Sequence, residues 1–71
     1  MTANQEFRLL RKRLDLTGEA LAKAHGIDAR TVRRWEQDEN TDGWRKVPEP
    51  ILRIMRLWLD PRLPKKLRPK T

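Results

Sequence analysis

"LTGEALAKAHGIDARTVRRWEQD", residues 16–38, decides how this 71-residue chain folds. It carries two helix starts of the same design. Leu16 precedes Thr17, a good N-cap, and is spaced to pack on Leu21 as a hydrophobic staple. Ile27 stands in the same way before Asp28, a second N-cap, with Val32 as its staple partner. Between them Gly26 can take the left-handed conformation that a tight helix exit needs. Only about three residues, "GID", then separate the two helices. A link that short makes them cross steeply, which is the geometry of a helix-turn-helix.

The second of these helices is two-faced. At 100° per residue, Val32 and Trp35 fall on one side and Arg30, Arg33, Arg34 and Gln37 within roughly 100° on the other. Arginine is a good helix former, so a solvated basic face is the plain alternative for any isolated helix. In a helix-turn-helix the same face points to double-stranded DNA. Residues near the start of the recognition helix meet base edges, which nominates Ala29, Arg30 and Arg33. Arginine grips guanine O6 and N7 with two parallel hydrogen bonds, and Ala29 suits a thymine methyl. Thr31, Arg34 and Gln37 are assigned to phosphates, together with Thr17 and Gly18 at the start of the preceding helix.

The flanking sequence is helical too. Thr2 and Gln5 have the form of a capping box, and Phe7, Leu10 and Leu14 make one apolar stripe over about residues 3–14. Arg8, Arg11, Lys12 and Arg13 fill the rest of that helix; at least two are expected on a solvated face, and one or two near flanking phosphates. A polar, acidic loop follows the recognition helix, with Asp42–Gly43 as its turn signal. Pro48 and Pro50 suit the first turn of a last helix. Seven of the nine residues of "ILRIMRLWL" are apolar, and Asp60–Pro61 ends the run. Ile51, Ile54, Met55 and Trp58 form a stripe there, with Leu52 and Leu59 beside it. This is more apolar surface than one small core needs, so a homodimer is expected through Trp44, Leu52, Met55 and Leu59; the alternatives are a last helix wholly buried in a monomer and a Trp44 folded back on the core. Two recognition helices about 34 Å apart would then match successive major grooves.

Composition sets the outer limits. The chain has 17 Lys and Arg against 10 Asp and Glu, a net charge of +7, which favours a polyanionic partner. Five of those cations stand in residues 61–71 without an acid, and removing them leaves +2 on residues 1–60. The case for DNA thus rests on where the arginines sit. There is no cysteine and one histidine, which excludes disulfides and a thiolate or polyhistidine metal cluster. His25 is expected to be half-buried and hydrogen-bonded. No cofactor and no catalytic group is expected. No long apolar stretch indicates a signal or a membrane span, so a cytoplasmic location is expected, nucleoid-associated when DNA-bound.

Residues 16–38 resemble the helix-turn-helix of lambda-repressor-like (xenobiotic-response-element) regulators of bacteria and phages. Leu16, Thr17, Glu19, Leu21, Ala22, Gly26, Thr31, Arg34, Trp35 and Glu36 match the family pattern, with Ile27 and Val32 as conservative equivalents. With the flanking helices the likeness covers about residues 5–59. Gly18 departs from it, standing where glutamine is usual, and His25 stands where leucine is usual. "DGWRKVP", residues 42–48, is also similar to a segment of small anti-CRISPR-associated autorepressors. Together these imply an all-α, compact four-helix domain over residues 1–60, followed by a basic, proline-rich, mobile tail over 61–71. They imply a dimeric repressor on a palindromic operator, autoregulatory on the second resemblance. An antitoxin-type regulator holding a protein partner and an excisionase-like recombination factor are the alternatives.

Overall fold

The computed structural model describes residues 1–70; Thr71, the end of the expected tail, lies outside the described residues. The described residues form four α-helices and one short 3-10 turn, with no strand: α1 (Ala3–Arg13), α2 (Gly18–His25), α3 (Ala29–Glu36) and α4 (Glu49–Trp58), then the turn Lys65–Leu67. No helix among them is long and apolar enough to cross a membrane.

Local chemistry sets most helix ends. At α1 the Thr2 hydroxyl accepts from the Gln5 amide at 3.1 Å, and the Thr2 amide donates to Gln5 Oε1 at 2.9 Å. Two orphan groups are thereby satisfied at once. The Thr17 hydroxyl accepts from the Ala20 amide at 3.1 Å and starts α2. The Asp28 carboxylate accepts from the Arg30 amide at 2.8 Å and starts α3. Gly26 ends α2 at φ 70°, where a side chain would strain the backbone. The Ile27 amide then donates back to the Ala22 carbonyl at 2.9 Å, so the turn is closed by its own backbone.

One core joins the helices. Phe7 and Leu10 of α1, Leu16, Leu21 and Ala22 around α2, Val32 and Trp35 of α3, Val47, and Leu52 and Met55 of α4 are all at most 6% exposed. The residues of both expected staples lie in or against this core: Leu16, Leu21 and Val32 within it and Ile27 packed on it. The Phe7 ring meets Trp35 edge-on at 5.2 Å, a geometry that adds about 0.5–1.5 kcal/mol beyond burial. α2 and α3 pack directly on one another, and α1 packs on both α3 and α4.

The last helix corrects an expectation. Leu52 and Met55, assigned to a dimer interface, are 1% and 0% exposed within a single chain. They stand three residues apart on the side of α4 that packs into the core, so a second copy has no access to them. Ile51, Leu52, Met55 and Leu59 form the inward stripe, whereas Ile54 is 39% exposed. Leu59 and Trp44 keep partial exposure. After Asp60, Leu63, Arg68 and Pro69 are half-buried around the Lys65–Leu67 turn.

Candidate nucleic-acid interface

α3 is held by its apolar side. Val32 and Trp35 are buried, while Arg30, Arg33 and Arg34 are exposed and form no ion pair among the described residues. Ala29 and Thr31 are half-buried at the margin of the same surface.

Three other arginines of the helical region, Arg8, Arg11 and Arg56, are bonded within the fold. Arg11 donates through Nε and Nη2 to the Glu36 carboxylate, and through Nη1 to the Leu16 carbonyl at 3.1 Å. Arg8 Nη2 donates to the Glu36 carbonyl at 2.6 Å. Arg56 bridges Glu6 and Glu49, with bonds of 2.7 to 2.9 Å. The Arg56 guanidinium holds the Glu6 carboxyl below its ordinary range. On α1 this leaves Lys12 and Arg13 exposed, while Arg8 and Arg11 anchor the end of α3. Arg30, Arg33 and Arg34 therefore stay unpaired among the described residues, as do Lys12 and Arg13 of α1, whereas Arg11 and Arg56 are paired with carboxylates inside the fold.

Several candidate residues converge. Thr17 and Gly18 from the start of α2 and Ala29 and Arg33 from α3 line one open groove of about 520 Å³, with Glu19 beside them and Arg11 and Glu36 also lining it. A Cβ on Gly18 would meet only Val32 Cγ1, at 3.4 Å. Gly18 thus gives the groove width without being demanded by packing. Arg30, Thr31 and Arg34 lie along α3 outside that groove.

Gln37 does not join them. α3 ends at Glu36, and Gln37 is its cap, with an extended ψ of 163°. Its side chain accepts from the Thr41 hydroxyl at 3.1 Å. It also lies where a Cβ on Gly43 would come within 2.6 Å of its Oε1. Gln37 thus stands as the cap one residue past the end of α3, exposed, with its Oε1 engaged by the loop. With Trp44, it lines a separate groove of about 400 Å³ between α1 and the loop.

That loop is built of turns. The Asp38 carboxylate accepts from the Asn40 amide at 2.9 Å, and the Trp44 amide donates to the Thr41 carbonyl at 3.2 Å. Its anchor is Asn4, which no local pattern in the sequence marks out. Asn4 Nδ2 donates to the carbonyls of Trp35 (2.9 Å) and Arg45 (2.8 Å), and its Oδ1 accepts from the Val47 amide at 3.1 Å.

His25 is half-buried, as its position on α2 implied, but it is not hydrogen-bonded through Nε2, which is buried without a partner among the described residues. Its ring packs on Trp58 at 4.9 Å, and burial pushes its pKa down. No known family model, curated protein or solved structure matches the chain.

Proposed function

We propose that this protein binds double-stranded DNA in a sequence-dependent way, with α3 in the major groove, and represses transcription by occupying its operator as a pair of copies. The observation that carries the reading is the unneutralised arginine face of α3, set opposite a face fixed in the core. A rigid helix with free guanidinium groups is what direct readout of guanine requires. Its junction with α2, three residues around a left-handed glycine, fits a helix-turn-helix. Arg30 and Arg33 with Ala29 read bases; Arg34, Thr31 and the start of α2 at Thr17 and Gly18 hold phosphates. Lys12 and Arg13 add sequence-independent contacts.

Selection of bound duplexes from a random pool tests this. A motif with two inverted half-sites is the expected result, and the Arg33→Ala variant relaxes one position of it at a cost of about 1–3 kcal/mol. Enrichment of no motif, or equal weakening on selected and random DNA, would sink the base-reading role. Residues 37–47 run through bends, turns and irregular backbone with no strand among the described residues, which supports a repressor over the excisionase-like alternative.

A further inference from the structure

With Leu52 and Met55 in the core, the outward side of α4 carries a second apolar line. Pro50, Ile54 and Leu57 are all exposed, Ile54 at 39% and Leu57 at 62%. Spaced four and then three residues apart, they stay within an arc of roughly 60°. That is the seam spacing by which paired helices interlock. One flank of this line is charged and the other is bounded by the half-buried Ile51 and Trp58. Arg53 stands next to it with its side chain 75% exposed, and Asp60 follows one turn on, its amide bonded to the Leu57 carbonyl at 3.1 Å.

We propose that a second copy of this chain covers the line, α4 packing antiparallel on α4 about a twofold axis between residues 55 and 56. The pattern is self-complementary under that axis. Ile54 meets Leu57 of the second copy, Leu57 meets its Ile54, and Pro50 approaches its Pro61. An axis of this kind carries each flank of the helix onto the same flank of its mate. Arg53, which within its own chain lies 3.9 Å from Glu49, therefore approaches Asp60 of the second copy, and the pair occurs twice. Asp60 keeps Arg62 of its own chain on the same carboxylate, at 2.9 and 3.1 Å, so the contact across the axis adds to an existing pair. A parallel arrangement turns the two charged flanks to opposite sides and makes no such pair. The face is small, well under the ~800 Å² per partner of a standard interface. The free chain accordingly associates weakly, with a Kd above about 1 μM. Adjacent half-sites raise the local concentration and complete the pair. This inference rests on the two-copy part of the function proposed above.

The absence of cysteine from the chain makes the axis testable by cross-linking without DNA. Ile54→Cys and Leu57→Cys variants are mixed in equal amounts under mild oxidation. The mixed disulfide is expected to form at least about fivefold faster than either homodisulfide, because only the 54–57 pair meets across the axis at bonding distance. Lys23→Cys, exposed on α2, supplies the collision-limited rate. Homodisulfides forming as fast as the mixed one, or a mixed rate no higher than that of Lys23→Cys, overturn the proposal. Sedimentation of Leu57→Glu, with helix content checked by circular dichroism, is expected to show association at least about tenfold weaker with the fold intact; unchanged association overturns it. Failure of cross-linking in a chain that still selects a DNA motif strikes the interface alone. Normal cross-linking without DNA selection strikes the DNA reading alone.

Discussion

Arg11 on α1 and Glu36 at the end of α3 form a two-pronged ion pair, their side chains only 21% and 23% exposed. The second prong, Nη2 to Oε2, measures 3.2 Å. The same guanidinium donates to the Leu16 carbonyl, so one side chain ties α1, the entry to α2 and the end of α3 together. Pairs on open surface contribute about 0–1 kcal/mol, whereas breaking a buried pair costs about 3–5 kcal/mol.

Intermediate burial therefore places Arg11→Met at a loss of about 1–3 kcal/mol in urea unfolding. Arg11→Lys is not expected to restore it, since an ammonium cannot supply the fork that engages both carboxylate oxygens and Leu16. A loss below about 0.5 kcal/mol for Arg11→Met would show the pair to be idle.

Asn4 is the second long-range fastening, and its chemistry gives a sharper test. Val47 is 2% exposed and its amide depends on Asn4 Oδ1. Asn4→Ala leaves that amide and two carbonyls short of partners, for an expected loss of about 2–3 kcal/mol. Asn4→Asp keeps the acceptor for Val47 but sets a carboxylate oxygen against the Trp35 and Arg45 carbonyls. It should be at least as damaging as alanine. Thermal melts of the two variants decide this, and a near-neutral Asn4→Asp would show that the two donated bonds contribute nothing.

These fastenings explain what was legible in the chain and what was not. Thr2, Thr17, Gly26 and Asp28 act on groups two to four residues away, so their side-chain chemistry announces the helix ends directly. The face of α3 was legible too, because Val32 and Trp35 stand out among charged neighbours. Asn4 works across 31 to 43 residues and Arg11 across 25, separations at which no local pattern marks a partner. α4 failed for the opposite reason. With apolar residues nearly all round, periodicity could not tell the inward Leu52 and Met55 from the outward Ile54 and Leu57. The bond from Thr41 to Gln37 belongs to the loop's own turns and has no periodic signal in the sequence.

His25 gives the chain a pH dependence of definite sign. Burial holds its pKa below the usual 6.5, so the unfolded chain takes up the proton first. Its contribution is full above the unfolded value and is lost as pH falls toward the lowered folded value. The melting temperature should therefore drop as pH falls through and below the ordinary histidine value of 6.5. Replacing His25 with leucine removes the unpartnered Nε2 and should raise stability by about 1 kcal/mol. It should also flatten that drop. A second decline at lower pH remains in both proteins, since Glu6 is held low by Arg56 and Asp60 is held at about 2 by its bonds from Arg62. An unchanged slope in His25→Leu would remove histidine as its source.

Gly18 separates fold from DNA contact in a single substitution. It is not in the left-handed region, and a Cβ there meets Val32 Cγ1 at an ordinary 3.4 Å. Gly18→Gln is thus admitted by the backbone and should raise stability by about 0.5 kcal/mol through helix propensity alone. The new amide would stand in the groove that Thr17, Ala29 and Arg33 also line, where it can donate to a phosphate. Tighter binding of the selected duplex by several-fold is expected, and because the side chain is neutral the salt slope should stay the same. Fluorescence anisotropy at two salt concentrations reads both quantities. Higher stability with unaltered affinity would mean that the groove does not face the DNA backbone, and the phosphate role of Thr17 and Gly18 would fall with it.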